Sequence, residues 1–403
     1  MMKQSIFTPD VHTTRPDTVL PSAPVTQYAR FIRPSDDADA KALGDLCAQE
    51  VKANVIGDFE KSEAYCRTHP GETPDRMVHV STFVILDGVV YMTYYANAEN
   101  ADEDPSKHAA RLAYRPFDDP KGLTVLELQK VGDMLEGKRV DLLYDTILLH
   151  KGGNELYILW TAAIEGNYYR LYCVYDIAAK TVGPIRINRF RVGEVTGDFS
   201  TTGMISALAE NGITRRTMFS DIGIMQKLTA REEDGETYYY TGAYSGNDNC
   251  IIKSRDLVTW EYVAAPDFVN NSLWENAVYV LGDRCYYFVR QQECTQGFLT
   301  CYDLKKKTWA TPILIADSQS RSDFIFYHGQ LYLIHSPVNR EGFGIVRVDT
   351  EDIVHSEVVL VADMKESLFY PYTLVYGDDA YISYTVGRRH IRLSRFDLKK
   401  YLR

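Results

Sequence analysis

Alternating apolar and polar residues recur in six segments of the chain, each with the same internal order. A first run of alternating residues is followed by a turn containing Gly, Asp, Asn or His, and then by a second run rich in tyrosine. A period of two residues interrupted by a short turn is typical of a β-hairpin. The predicted hairpins are VHVSTFVILDGVVYMTYY, LLYDTILLHKGGNELYILW, FSDIGIMQKLTAREEDGETYYYTGAY, LWENAVYVLGDRCYYFVR, SRSDFIFYHGQLYLIHS and FYPYTLVYGDDAYISYT.

The hairpin pattern recurs over residues 79–385 at intervals of roughly 46 to 80 residues. Several strands per repeat at such a spacing are typical of propeller blades. The sequence therefore predicts an all-β chain that folds as a six-bladed β-propeller over residues 51–403. Residues 1–50 are rich in Pro and Thr and then follow a helical pattern, so we expect an N-terminal arm and helix there.

Composition restricts the range of functions that the protein can have. The 403 residues include 29 tyrosines against 16 phenylalanines, which favours strands and polar aromatic surfaces. The net charge of −11 argues against nucleic acid or an anionic membrane as a partner. No apolar run has membrane-spanning length and the N-terminus lacks a signal-peptide pattern, which predicts a cytoplasmic protein. A secreted or periplasmic protein that had been trimmed would look the same.

Several kinds of site are not indicated. The seven cysteines are odd in number and include no C-x-x-C pair, so neither a disulfide framework nor a zinc site is expected. The chain has no Gly-rich phosphate loop, no H-E-x-x-H metal motif and no G-x-S-x-G elbow. We therefore expect no metal and no cofactor.

Polar residues occupy one equivalent position near the start of the first strand of every hairpin. Five of them stand 11 or 12 residues before a tyrosine of the second strand, and the longer third hairpin offers Asp221. In a propeller the first strand lines the central channel, so these side chains should converge at one end of it. Enzymes collect titratable groups in such clefts. The six residues are His79, Asp145, Asp221, Glu275, Arg321 and Tyr370.

The spacing of four residues, two of them from this set, resembles the sialidase superfamily from about residue 75 to 395. Glu275 is followed 15 residues later by Arg290, the segment LYLIHSPVNREGFGIV supplies Arg340, and Tyr370 follows 30 residues after that. The resemblance implies that Tyr370 is a nucleophile paired with Glu275. It also implies that Arg290 and Arg340 bind the carboxylate of an acidic sugar.

The implied chemistry suits these residue types. A neutral phenol is a poor nucleophile, so an anionic Glu275 would accept its proton during attack. A tyrosine is the exceptional nucleophile among glycosidases. A carboxylate nucleophile would be repelled by a substrate carboxylate beside the anomeric carbon. The expected substrate is therefore an acidic oligosaccharide or glycoconjugate, cleaved by an exo-acting glycoside hydrolase.

The chain departs from the family pattern at three places. His79 stands where the family has its first arginine. The acid/base aspartate falls in NAENADEDPSKHAARL, which makes Asp104 or Asp102 the candidate. The family's late glutamate, which supports the first arginine, has no counterpart in GRRHIRL. These differences predict a relative acting on a different acidic or modified sugar rather than a standard sialidase.

Three other functions stay open. A propeller-type polysaccharide lyase would use His79 and Tyr370 to abstract a proton beside a uronate carboxylate. A five-bladed furanosidase-like glycosidase would use the carboxylates of Asp145, Asp221 and Glu275. A non-catalytic glycan-binding propeller would keep the aromatic residues and arginines without an acid/base pair.

Overall fold

The computed structural model describes residues 5–8, 27–213, 222–245, 248–266, 273–291 and 295–402. Their strands form six sheets of four to seven strands each, numbered here by the position of the innermost strand in the chain, and one two-stranded ribbon (Met134–Leu135 with Lys138–Arg139). Sheet 1 contains Met77–Leu86, Val89–Asn97, His108–Pro116 and Thr124–Lys130. Sheet 2 contains Leu142–Leu149, Glu155–Ile164, Asn167–Asp176, Thr181–Val182 and Arg186–Ile187.

Sheets 3 and 4 draw strands from separate stretches of the chain. Sheet 3 contains Arg189–Val192, Val195–Asp198, Ile222–Ile224, Thr229–Glu233, Glu236–Ser245, Asp248–Ser254 and Thr259–Ala264. Sheet 4 contains Leu273–Leu281, Arg284–Gln291, Gln296–Asp303, Thr308–Trp309, Ile313–Ala316 and, at its edge, Arg30–Ile32.

Sheets 5 and 6 each have four strands. Sheet 5 contains Asp323–Tyr327, Gln330–His335, Gly342–Val348 and Glu357–Asp363, and sheet 6 contains Phe369–Tyr376, Asp379–Val386, His390–Asp397 and Val55–Asp58. The α-helices are Ala38–Ala53, Glu63–Thr68, Thr201–Glu210 and Leu398–Tyr401, and the 3₁₀ turns are Pro34–Asp36, Pro105–Lys107, Val338–Arg340 and Ile353–His355. None of these helices is long and apolar enough to cross a membrane.

The chain is an all-β propeller, as predicted. Consecutive sheets contact one another, and the innermost strand of sheet 1 (Met77–Leu86) contacts the innermost strand of sheet 6 (Phe369–Tyr376). At this closure Ser81 donates to Ser383 over 3.1 Å, and the Nδ1 atom of His79 lies 3.1 Å from Oγ1 of Thr385. The count of six regular blades stays a prediction, because sheet 3 is assembled from two stretches of chain on either side of helix Thr201–Glu210.

Turn chemistry explains why the hairpins are visible in the sequence. Asp87 and Gly88 connect two strands of sheet 1, and both have positive φ (49° and 75°). This mirror-image turn matches the twist of the strands, and Asp-Gly adopts it readily. Between the sheets, apolar side chains pack into continuous cores. Trp160 is fully buried between sheets 1 and 2, and its Nε1 donates to Oε1 of Gln129 over 2.7 Å.

The N-terminal region packs closely on the sheets. Asp37 caps helix Ala38–Ala53 by accepting from the amide of Ala40. The helix continues past residue 50, and its Cys47 and Val51 belong to a core cluster with side chains of sheets 5 and 6. Strand Val55–Asp58 then completes the outer edge of sheet 6. The division into an arm over residues 1–50 and a propeller over 51–403 stays a prediction.

The packing of this helix can be tested at Gly44. A Cβ added there would lie 1.9 Å from the carbonyl oxygen of Val361, a backbone atom of sheet 5. Alanine normally stabilises a helix relative to glycine by about 1 kcal/mol. We expect the opposite for Gly44→Ala, a loss of about 1–3 kcal/mol in the free energy of unfolding, because the helix must move off the sheet.

Urea unfolding of the variant and of the wild type measures this difference. Lys41→Ala, at an exposed position of the same helix, is the matched control and should change the free energy of unfolding by less than about 0.5 kcal/mol. A Gly44→Ala protein more stable than the wild type would contradict the close packing.

Candidate functional site

A cavity of about 710 Å³ lies at the end of the ring where the first strands begin. All six sheets contribute to its wall, directly or through the segments that border them. One lining residue from each, in order, is Tyr95, Tyr144, Tyr244, Glu275, Arg340 and Tyr370. The convergence that the sequence pattern predicted is therefore present for Asp145, Glu275, Arg321 and Tyr370, all of which line the cavity. Asp221 lies outside the described residues.

Breaks in strand register explain how these side chains reach the cavity. The pairing of the first strand shifts between His79 and Thr82 in sheet 1, and the same break occurs at residues 144–147, 273–276 and 369–372. Asp145 and Tyr370 stand inside such breaks with φ values of 55° and 57°. A β-bulge re-aims a side chain, and a left-handed non-glycine residue costs of order 1–3 kcal/mol. The similar spacing from these residues to the tyrosine of the second strand is thus explained by a bulge that recurs at this position.

A buried network of charges forms the floor of the cavity. The Nη2 atom of Arg321 lies 2.8 Å from Oε1 of Glu275 and also bonds Oδ1 of Asp145. Arg290 approaches the other oxygen of Glu275 at 2.7 Å, and Arg170 approaches the other oxygen of Asp145 at 3.1 Å. Glu275, Asp145 and Arg321 are each no more than 4 % exposed. Each carboxylate is therefore held by two guanidinium groups away from water.

Tyr370 lies directly over this floor. Its hydroxyl is 3.5 Å from Nη2 of Arg290, and its ring centre is 5.0 Å from Cζ of Arg321 and 5.6 Å from Cζ of Arg340. Burial raises the pKa of Tyr370 above its usual range, and the charge of Glu275 adds to this against the pull of the arginines. The phenol is therefore neutral at physiological pH.

The pKa of Glu275 is shifted in the opposite direction to that of Tyr370. Burial alone would raise its pKa, but Arg290 and Arg321 and a side-chain hydrogen bond with Tyr370 lower it below the usual glutamate value. An ionised carboxylate thus stands beside a neutral phenol. This pairing is the one that a tyrosine needs in order to act as a nucleophile or to transfer a proton.

His79 lies behind Tyr370 rather than on the wall of the cavity. The two rings meet edge to face at 4.5 Å, and His79 is 1 % exposed. Burial, and then the positive charge of nearby arginines, hold the pKa of His79 well below its usual value, so the ring is neutral. The structure therefore does not support direct substrate contact by His79. Its position suits holding Tyr370 in place.

The predicted acid/base aspartates do not line the cavity. Asp102 is exposed, and the carboxylate of Asp104 caps the turn Pro105–Lys107 by accepting from Ser106. The residue between them, Glu103, does line the cavity. Its Oε1 accepts from the Tyr95 hydroxyl over 2.6 Å. The predicted loop therefore reaches the cavity through Glu103, whereas the carboxylate of Asp104 turns toward its own backbone. The acid/base role of Asp104 or Asp102 stays a prediction.

Two arginines at the rim flank one aromatic ring. The Cζ atom of Arg340 lies 4.3 Å from the ring centre of Phe369, and that of Arg388 lies 5.2 Å from the same ring. Arg340 has no carboxylate within 4.0 Å among the described residues, whereas Nε of Arg388 lies 2.7 Å from Oε2 of Glu103. Sequence reasoning missed Arg388, although GRRHIRL carries two arginines directly after strand Asp379–Val386, whose end pairs with Phe369 beside Tyr370.

No family model and no curated protein matches the chain. Solved structures with a similar fold include two sialidase-type proteins. A Trypanosoma rangeli sialidase in complex with sialic acid is 16% identical, with a TM-score of 0.52 over 81% of this chain and 55% of that one. A leech intramolecular trans-sialidase complexed with 2,7-anhydro-Neu5Ac is 11% identical, with a TM-score of 0.53 over 86% of this chain and 70% of that one. The chain, which spans little more than half of the trypanosome sialidase, thus shares the fold of sialidase-type proteins.

The charged floor generates a prediction about stability. Arg321→Gln would leave the buried carboxylates of Glu275 and Asp145 with one cation each, so the free energy of unfolding should fall by about 3–5 kcal/mol. Arg340→Gln is the matched control. It removes a cavity arginine that has no carboxylate partner in the described part of the chain, and should change stability by less than about 1 kcal/mol.

Urea unfolding followed by tryptophan fluorescence measures both variants. An equal loss in the free energy of unfolding for the two variants, or a larger loss for Arg340→Gln, would show that Arg321 does not stabilise the buried charge network.

Proposed function

We propose that the protein is a carbohydrate-active enzyme, an exo-acting glycoside hydrolase that cleaves an acidic sugar from an oligosaccharide or glycoconjugate. In this proposal the six sheets act as six blades around one site. The observation that carries it is the placement of Tyr370, whose phenol lies over an ionised Glu275 and among three arginines. The fold shared with two sialidase-type proteins adds support.

The reaction uses the Tyr370–Glu275 pair for nucleophilic attack. The phenolic oxygen forms a bond to the anomeric carbon as the bond from that carbon to the leaving oxygen breaks, and the phenolic proton passes to Glu275. Water then adds its oxygen to the anomeric carbon as the bond to the tyrosine oxygen breaks, and Glu275 returns its proton to the phenolate. The proton that the water loses passes to the group that protonated the leaving oxygen. Since Glu275 is already held by Arg290 and Arg321, the pair is aligned before substrate binds.

The leaving oxygen needs a proton donor, and we assign that role to Glu103. Among the described residues that line the cavity, the carboxylates of Asp145 and Glu275 are each held by two arginines, whereas Glu103 has one. Its side chain is 32 % exposed, so substrate can reach it. Glu103 thus takes the place that the sequence assigned to Asp104 or Asp102.

The acidic group of the sugar pairs with Arg340, close to Arg290 of the floor. Arg340 is largely buried without a carboxylate partner in the described chain, and Arg290 lies beside it at Tyr370. A buried cation is stabilised when a ligand supplies the missing anion. The T. rangeli sialidase holds sialic acid, a sugar of this acidic class.

A lyase acting on uronate glycans is the second candidate. A phenol among arginines also suits proton transfer beside a substrate carboxylate. The geometry favours it less, because His79 is buried behind Tyr370. The furanosidase-like mechanism is favoured least, since Asp145 and Glu275 are both committed to Arg321.

Tyr370→Phe tests the proposal. The change removes only the hydroxyl, so the fold should survive while turnover falls by roughly three orders of magnitude or more, the amount expected when a nucleophile is lost. A screen of acidic oligosaccharides that reads released reducing sugar and ultraviolet absorbance together first identifies the substrate. New absorbance with each cleavage would indicate the lyase.

Tyr372→Phe is the matched control, because Tyr372 is buried in the same strand but packs on Phe83 away from the cavity. It should keep near-normal turnover. A Tyr370→Phe protein with near-normal activity would refute both the glycosidase and the lyase, and binding without turnover by the wild type would favour a glycan-binding propeller.

A further inference from the structure

The side chain of Arg388 is held at the cavity by an unusual turn. Gly387 and Arg388 connect two strands of sheet 6, and both have positive φ (54° and 53°). Glycine adopts this conformation at no cost, but a non-glycine residue there costs free energy of order 1–3 kcal/mol. The carbonyl of Arg388 accepts from the amide of Val78 over 3.0 Å, and the amide of Gly387 donates to Ser367. The turn is thus fixed at the closure of the ring.

The guanidinium of Arg388 is only partly satisfied. Its Nε atom lies 2.7 Å from Oε2 of Glu103, while its two terminal nitrogens donate no hydrogen bond to the described residues. Glu103 is itself held by the hydroxyl of Tyr95. The terminal nitrogens are therefore available for a ligand in the cavity that Arg388 lines.

Arg340 approaches the same region from sheet 5. The guanidinium groups of Arg340 and Arg388 lie 4.3 and 5.2 Å from the centre of the Phe369 ring, and both residues line the cavity. Like charges held near each other repel, and an anion bound between them relieves the repulsion. These two side chains thus form a rim site for one anionic group, supplied from two sheets.

We propose that Arg388 binds the acidic group of the substrate together with Arg340, and that this contact draws Arg388 away from Glu103. The proposal rests on the proposed function and names the residue that selects for charge. Glu103, released from its cation, is then free to bind a proton and donate it to the leaving oxygen. An acidic sugar would thus complete the catalytic site that it needs, whereas a neutral sugar would leave Glu103 paired.

Binding and turnover separate this proposal from the proposed function. Calorimetric titration with N-acetylneuraminate and with D-glucuronate, each against its methyl ester, measures recognition of the charge without any reaction. Arg388→Ala should weaken binding of the preferred acid by roughly 10- to 100-fold and leave binding of its ester unchanged. Glu103→Gln should strengthen binding of the acid by about 2- to 5-fold, because the competing carboxylate is gone, while turnover falls.

Arg389→Ala is the matched control. Arg389 is exposed in the same turn and donates to the carbonyl of Arg76, so its loss should leave both affinities unchanged. Wild-type affinity for the acid in Arg388→Ala, or weaker binding in Glu103→Gln, would overturn the role of Arg388 while a Tyr370→Phe protein without turnover still supported the glycosidase. A wild-type protein that binds neither acid more tightly than its ester would overturn the proposal outright.

Discussion

Arg321 is the side chain on which the centre of the molecule depends, because one guanidinium neutralises two buried carboxylates from different sheets. Glu275 lies near the start of the innermost strand of sheet 4, and Asp145 lies near the start of the innermost strand of sheet 2. Neither residue is more than 4 % exposed, and both carboxylates pair with Arg321. A buried anion is stable only when it is paired with a cation. Arg321 is the cation that these two carboxylates share. The network therefore joins three sheets at the floor of the cavity and gives Tyr370 a rigid base.

The same network separates two electrostatic tasks. At the floor, arginines and carboxylates neutralise one another, so an ionised Glu275 stands beside the neutral phenol of Tyr370 before any ligand arrives. At the rim, Arg340 lacks a carboxylate among the described residues and Arg388 has one that a ligand can replace. In the proposed function the floor serves the reaction and the rim serves recognition, so an acidic sugar would bind without breaking the pairs that hold the sheets together.

The parts of the site that repeat were predictable from the sequence, and the family resemblance indicated Arg290 and Arg340, whereas Glu103 and Arg388 were not predicted. Asp145, Glu275 and Tyr370 were found because each stands at the same kind of bulge, and a bulge that recurs in four of the hairpins leaves a nearly constant spacing to the next tyrosine. Glu103 was missed because it lies in a loop without a period. Arg388 was missed because its direction depends on a left-handed turn that composition does not reveal. Sheet 3 takes strands from both sides of a helix, so its hairpin alone did not define it.

The most direct test of this account is to identify the atom that bonds the substrate. An activated, fluorinated acidic glycoside forms a glycosyl–enzyme bond that hydrolyses slowly, and mass spectrometry of a protease digest locates the added mass. The account predicts one sugar on the peptide that contains Tyr370, and none on that peptide in Tyr370→Phe. A sugar attached to Glu275 or Asp145, or turnover of the glycoside with no covalent adduct at all, would contradict the central role of Tyr370.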